Sequence, residues 1–599
     1  MRTLKLLKYF SPYKWLLILM LVLTYGQTTA TLALPDYMAK IVNQGIVGQD
    51  SSLIYHNGLV MLLIALFGGV CMIGVGYLAS KVATGFAMKL RDEIFTKVES
   101  FSLLEFNAFS TASLITRCTN DIQQIQTVLG MLLRLALMAP FMGIGAVIKA
   151  YRLAPSMAWI MAIAIIALIA IISVLFITAI PRFTRLQRLV DRLNLVTREI
   201  LTGLRVIRAF KKESYEENKF KDANRDLTDV NLFVNRLMVV MQPAMMLILN
   251  LTSVAIVWIG ARQIDGGSLQ IGDMLAFMQY AMQAIFAFLM ISIIFIMVPR
   301  ASVSAQRVAE VLDTEGTIKD PTRPVKAAKG RGLVEFKDVS FQYAGAEEPV
   351  LRNISFTAVP GQTTAFVGST GSGKSTLINL IPRFYDVTAG TILVDEVDIR
   401  DLRQEDLRAR IGYVSQKAVL FSGKVEDNIK YGDPKATLEE VKHAAEIAQA
   451  SDFINQLEQG LQSPIAQGGA NVSGGQKQRL AIARALAKKP EIYVFDDSFS
   501  SLDFKTDADL RQALEQETKG KTVLIVAQRI STVLQAEKIV VLDAGRVVGQ
   551  GTHSELLRTC AIYREIASSQ LSEAELARAM GTVAGVDNIF GRLSGGEAL

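Results

Sequence analysis

Apolar and polar positions divide this chain near its middle. Its first half holds uncharged apolar runs, and a membrane-spanning helix needs about 20 mostly apolar residues. Six runs qualify: Trp15–Leu34, Gly58–Ser80, Val128–Lys149, Ser156–Ile180, Val240–Ile259 and Met274–Val298. The joining segments alternate in character. Those after spans one, three and five are short and carry few charges. Those after spans two and four are long, polar and basic, the second holding Arg182, Arg185, Arg188, Arg192, Arg198, Arg205, Arg208, Lys211 and Lys212. The N-terminal tail adds Arg2, Lys5, Lys8 and Lys14. Basic residues stay on the cytoplasmic side, so the tail, both long loops and the exit of span six are expected in the cytoplasm. No small-residue cleavage site follows the first run, which reads as a retained helix. In the second long loop, Leu186, Val190, Leu193, Val196 and Ile200 recur at the helical spacing. The spans are therefore expected to continue as helices beyond the bilayer.

The second half reads like a soluble enzyme. Asp313–Gly330 is polar, with Pro321 and Pro324, and forms the expected linker. Alternating strand patterns follow, beginning with Val334–Phe341. The sharpest motif is Gly368, Ser369, Thr370, Gly371, Ser372, Gly373, Lys374, Ser375, which fits G-x-x-x-x-G-K-[ST]. A strand-like run, Thr363–Val367, precedes it and a helix-like run starts at Thr376, the context this phosphate-binding loop requires. Glycines let backbone N–H groups turn inward around phosphate oxygens, and the helix N-terminus adds a favourable dipole. Lys374 would neutralise phosphate charge and Ser375 would ligate Mg²⁺. The expected cofactors are ATP and Mg²⁺.

Composition changes the picture little. The 599 residues are 51% hydrophobic with a net charge of +7, and the basic residues sit where cytoplasmic loops put them, so nucleic-acid binding is not expected. Cys71, Cys118 and Cys560 are scattered and suggest neither a disulfide framework nor a metal site. Gly68, Gly69, Gly74 and Gly76 in span two would permit close helix packing. Arg134 in span three is a costly charge that would face the bundle interior; packing or snorkelling is its ordinary role, substrate contact the other. Gln279 and Gln283, Gln242 with Pro243, and Gln27, Thr28, Thr29 and Thr31 would either line a cavity or bond helix to helix. The 21 methionines suit adaptable apolar surfaces and hint at apolar or amphipathic cargo.

The order of the segments resembles the ATP-binding cassette (ABC) exporters. Phe106–Asp121 looks like that family's first cytoplasmic loop and Glu199–Phe210 like its second; their docking tips would lie near 109–114 and 209–215. The resemblance implies an all-α six-helix transmembrane domain (1–312), a linker (313–330), an α/β P-loop nucleotide-binding domain (331–570) and a C-terminal tail (571–599). Tyr343 takes the place of the family's adenine-stacking aromatic. Gln416 matches the Q-loop, which reaches Mg²⁺, and Asp496 the Walker B carboxylate that holds it. Ser473, Gly474, Gly475 and Gln476 match the signature motif, with Val472 for the usual Leu; in the family it acts on the partner subunit's ATP. Asp503 matches the D-loop. A second signature-like run, Arg592–Glu597, sits in a polar tail and reads as a decoy.

Two positions depart from the family pattern. Asp497 stands where a Glu polarises the attacking water, and Gln528 where a His contacts the γ-phosphate. Asp reaches less far, and an amide cannot take up a proton. Both changes fall on hydrolysis while the ATP-binding elements remain. The resemblance then implies a heterodimer, in which this chain is the degenerate-site subunit and a homologous half-transporter supplies the consensus Glu and His, as in bacterial multidrug exporters. The expected cargo is a hydrophobic or amphipathic small molecule carried across the inner membrane. An engineered inactive variant, a nucleotide-gated sensor and a lipid or peptide exporter are the alternatives.

Overall fold

A computed structural model describes residues 2–325, 330–572 and 575–576. The signature-like run Arg592–Glu597, most of the 571–599 tail and positions 326–329 of the linker lie outside the described residues. Contacts divide the chain into two compact units. One comprises Met1–Glu99 and Phe109–Thr314, the other Ser100–Ala108 and Glu315–Leu599.

In the first unit the 3₁₀ helix Arg2–Tyr13 leads into α1 (Lys14–Lys40) and α2 (Ser51–Glu99). After α3 (Leu103–Phe109), which falls almost wholly in the second unit, come α4 (Thr111–Thr116), α5 (Ile122–Leu153), α6 (Ala158–Ala209), α7 (Glu213–Asp265) and α8 (Ile271–Asp313). Among the described residues, six helical stretches are long and apolar enough to cross a membrane. The first five expected spans each lie inside one of them; the sixth, Met274–Val298, starts inside Ile271–Ile291 and runs on along α8. The core gathers around α8, where Phe277 and Tyr280 are fully buried with Leu32, Ala146, Ala150, Met157 and Ile256. Small residues bring α5 and α8 together: a Cβ on Gly143 would stand 3.2 Å from that of Ala287. Close approach of this kind replaces hydrophobic driving force between helices in lipid. The glycines of span two behave less uniformly. Gly68 and Gly74 face Ala30 and Leu23 of α1, whereas a Cβ on Gly69 or Gly76 would meet nothing within 4 Å.

Gln27 Nε2 reaches across to Met138 Sδ of α5 at 4.0 Å, while threonines of span one bond within their own helix. Thr24, Thr28 and Thr31 donate to the carbonyls of Met20, Thr24 and Gln27. Gln283 keeps a buried Oε1 without a hydrogen-bond partner among the described residues.

The loop tips differ in how well the sequence located them. The second turns at Phe210–Lys212, between the end of α6 and the start of α7, inside the expected 209–215. The first is displaced: a separate helix occupies 103–109, and Ser110, at φ 57°, turns the chain into α4. Its cause is an N-terminal cap in which serine and glutamate bond each other's end of the first turn. The Ser102 N–H donates to Glu105 Oε2 at 2.8 Å, and the Leu104 N–H to Ser102 Oγ at 3.2 Å, so Ser102-Leu-Leu-Glu105 starts a helix there.

The second unit is α/β. A four-stranded antiparallel sheet takes the order β2 (Leu351–Ala358), β1 (Val334–Phe341), β4 (Ala389–Val394), β5 (Val397–Asp398). The six-stranded sheet runs β12 (Arg546–Gly551), β11 (Lys538–Asp543), β3 (Thr363–Gly368), β10 (Thr522–Val526), β9 (Ile492–Asp496), β6 (Ile411–Val414). All its strands are parallel except β12. Strands β7 (Gly423–Lys424) and β8 (Pro464–Ile465) form a small antiparallel pair. Every residue of β9 and β10 is buried, as parallel strands covered on both faces must be. The register sets Val526 beside Asp496 on one side and Phe366 on the other, and Val414 beside Phe495. The C-terminal ends of β3, β6, β9 and β10 therefore finish level along one edge.

Candidate nucleotide site

That edge carries most of the sequence-identified positions, where open α/β sheets place their ligands. Beyond β3 the chain turns through Gly371 (φ 85°) and Gly373 (φ 96°) into α9 (Lys374–Leu380). A Cβ on Gly373 would lie 2.7 Å from Leu351 Cδ2, so the left-handed turn and the crowding both call for glycine. Lys374 is buried, and its ammonium donates to the carbonyls of Gly368 and Ser369, both at 2.8 Å. Burial pushes its pKa down, against the pull of Asp497 and Asp496.

Ser375 opens onto solvent at the loop's exit, and its hydroxyl donates to Asp496 Oδ1 at 3.0 Å. Asp496 ends β9; burial pushes its carboxyl up, assisted by the charge of Asp497 and opposed by Ser375 and Lys374. Asp497 follows at φ 47°, and its N–H donates to the Val526 carbonyl at 3.0 Å. Its Oδ2 accepts from Gln416 Nε2 at 3.4 Å. Burial raises this carboxyl also, with Gln416, Ser500, Lys374 and Arg529 pulling it back. Ser375, Asp496, Asp497 and Gln416 thus converge as oxygen-bearing groups, the donor set a hard cation such as Mg²⁺ takes. The exposed Ser369, Thr370 and Gly371 face no side-chain cover, so the loop backbone fits a phosphate chain.

Tyr343 lies beside α9. Its hydroxyl is 3.1 Å from Thr376 Oγ1, and its ring meets Tyr385 edge-on at 5.4 Å and Phe341 at 4.8 Å. Gln528, just past β10, is exposed. The signature residues stand elsewhere, as the start of the helix Gly474–Ala487. Ser473 Oγ accepts the Gln476 N–H at 3.3 Å and Gln476 Oε1 accepts the Ser473 N–H at 2.9 Å. This capping box holds Gly474 and Gly475, with their free N–H groups, at an exposed helix end. Asp503 caps the next helix, Phe504–Glu517, accepting from the Thr506 N–H at 3.0 Å.

Three further residues support these positions. Ser500 donates to the Asp497 carbonyl at 2.9 Å. Arg529 donates to the Ser500 carbonyl at 3.3 Å and lies over the Phe504 ring. Gln570 brackets the segment after β10, donating to the Gln528 carbonyl at 3.0 Å and accepting the Ile530 N–H at 2.8 Å. Ser500 opens the stretch Ser500–Asp503 that matches the D-loop and Arg529 follows Gln528; Gln570 had no such hint.

Comparison with known proteins agrees with this architecture. Residues 17–288 match the family described as ABC transporter transmembrane region, and residues 351–500 the one described as ABC transporter. An uncharacterized ABC transporter ATP-binding protein of Mycobacterium tuberculosis is 42% identical over 94% of this chain and 97% of its own length. An ATP-dependent lipid A-core flippase of Syntrophus aciditrophicus is 32% identical over 97% of this chain and 96% of its own. The solved structure of a bacterial Atm1-family ABC exporter with ATP bound superimposes with a TM-score of 0.77 at 27% identity, over 93% of this chain and 98% of that one. The chain belongs to the ABC transporter family, as a bacterial exporter half-transporter that joins one six-helix membrane region to one ATPase domain.

Proposed function

We propose that this chain is the degenerate-site subunit of a heterodimeric exporter moving hydrophobic or amphipathic compounds, multiple drugs among them, out across the cytoplasmic membrane. One observation carries the reading: the carboxylate at the water-polarising position is one methylene short and is tied back to Gln416. Misplacing a catalytic group by about 1 Å costs on the order of 10²-fold in rate. Gln528 adds to the deficit, since its amide takes no proton. The binding elements are complete. Lys374 and the loop from Gly368 to Thr376 would hold the phosphates, and Tyr343 the adenine. Ser375, Gln416 and Asp496 would hold Mg²⁺, which supplies charge neutralisation at the phosphates. Ser473–Gln476 and Asp503 would complete the partner's competent site.

In this reading the membrane domain is residues 1–312, the linker 313–330 and the ATPase domain 331–570, with the N-terminus and ATPase domain cytoplasmic. The isolated chain should bind ATP and hydrolyse it far below the rate of the assembled pair. Ordinary transporter turnover by the chain alone would sink the proposal. Asp497→Glu with Gln528→His should raise turnover of the assembled pair, and no change would mean the deficit lies elsewhere. Lipid cargo is the second reading, favoured by relatives named as lipid A-core flippases. ATP-dependent accumulation in inside-out vesicles separates either from a nucleotide-gated sensor, which would accumulate nothing.

A further inference from the structure

The membrane unit holds a cavity of about 440 Å³ between α2 and α5, lined by Ser80, Thr84, Gln126, Thr127, Met131 and Arg134 among others. Its chemistry is unbalanced. Arg134 donates one N–H to the Gly76 carbonyl at 3.1 Å and makes no ion pair among the described residues. A Cβ on Gly76 would meet nothing within 4 Å, so space opens beside the guanidinium. A second cation stands at the same end. Arg91 donates to Gln123 at 3.3 Å and to Gln126 at 3.4 Å, and Gln126 in turn donates to Thr84 at 3.3 Å. No carboxylate answers either charge from these helices: α5 contains no Asp or Glu, and α2 has none before Asp92.

An uncompensated arginine within a span is expensive and marks a functional site by default. Arg134 lies six residues into span three, about 9 Å along the helix. That lies inside the hydrocarbon region, about 6 Å short of its middle, a depth a headgroup reaches by entering the polar cavity. Hydroxyl and amide groups surround it, and Met131 adds an apolar wall. Basic pockets between spans on the cytoplasmic side suit phosphate-bearing headgroups, and a guanidinium fork matches a phosphate's oxygens.

We propose that the α2–α5 cavity binds the anionic, phosphate-bearing headgroup of an amphiphile through Arg134, with its chains lying toward Met131. This goes beyond the export reading, on whose topology only the leaflet supplying the ligand depends. Fluorescent phosphatidylglycerol and phosphate-free diacylglycerol with matched chains, titrated onto the purified full-length transporter, test it. Phosphatidylglycerol should bind about tenfold more tightly, the worth of one charge-assisted hydrogen bond. Arg134→Gln should remove that advantage and leave diacylglycerol unchanged. Arg134→Lys should restore part of it, keeping the charge without the fork. Thr127→Val, expected to weaken phosphatidylglycerol a few-fold, serves if Arg134→Gln fails to fold. Equal loss for both lipids would overturn the proposal. So would full displacement by inorganic phosphate, which would make the ligand a free anion. Failure of Arg134→Gln to assemble with a second subunit would overturn it too, by assigning the arginine to an interface.

Discussion

Asp497 shows what a single residue contributes here. Burial raises its carboxyl above the ordinary 3.8, so the ionised form is a cost to the folded state at neutral pH. That cost is complete above the raised value and is relieved as pH falls through it. Asp497→Asn removes the charge and keeps an oxygen for Gln416. The nucleotide-free chain should therefore melt higher by about 2–4 °C, the shift that ~1 kcal/mol gives a domain of this size. A lower melting temperature would show that Lys374 and Arg529 outweigh burial. Lys374 behaves in the opposite way. Its ammonium already binds two loop carbonyls, so Lys374→Ala should lower ATP affinity more than tenfold and loosen the empty loop as well. Equilibrium binding with a fluorescent ATP analogue checks the first effect and proteolysis of the loop the second. Both residues were legible because the motif spacing names them. Gln570 was not, since a lone amide 42 positions from Gln528 leaves no pattern until the chain folds.

At the scale of elements, the helix caps separate structure from function. Ser473→Ala removes the cap that begins the signature helix and should cost about 1 kcal/mol of stability. It should also depress turnover of the assembled pair much further, because the same hydroxyl faces the partner's nucleotide in the proposed arrangement. Ser473→Asn keeps a capping oxygen and restores melting temperature; turnover that recovers in parallel would mean the serine is only a cap. The cap at Ser102 has a wider reach. Glu105 accepts from Ser102 N and Oγ and from the Thr317 N–H at 3.1 Å, clasping α3 to the segment that follows α8. Burial alone would raise this carboxyl, but the bonds from Ser102 and Thr317 outweigh it and hold it below 4.5. The clasp therefore stabilises fully above that ordinary value and fades as pH falls through the lowered one. Glu105→Gln turns a donor toward these N–H groups and should cost about 1–3 kcal/mol at neutral pH. Wild type and variant should converge in acid, and a gap constant with pH would rule out the charge. The S-x-x-E signal of this helix stood in the sequence all along; reading the stretch as one loop masked it. The long helices were legible for a simpler reason, since an apolar run that crosses lipid must satisfy its backbone within itself and so forms a helix.

For the whole molecule, the alternation of loop charge is a stronger guide than any single span. Twenty apolar residues specify a crossing but not its direction; direction comes from where the lysines and arginines collect. The α6–α7 connection carries Lys211 and Lys212 at an exposed turn, while the turn between α1 and α2 exposes Val47, Gly48 and Gln49 without a basic residue. If the proposed orientation holds, these turns face opposite sides. Cys71 and Cys560 are buried and Cys118 is half-buried, so replacing Cys118 with Ser gives a quiet background. In that background, Gln49→Cys should react with a membrane-impermeant maleimide in intact cells. Lys212→Cys should react only after permeabilisation. The reverse pattern would invert the chain and place its nucleotide loop away from cytoplasmic ATP, and labelling of both in intact cells would mean an even number of crossings between them instead of three. Either result would also relocate Arg134, because the leaflet that meets its cavity is set by the same count of crossings.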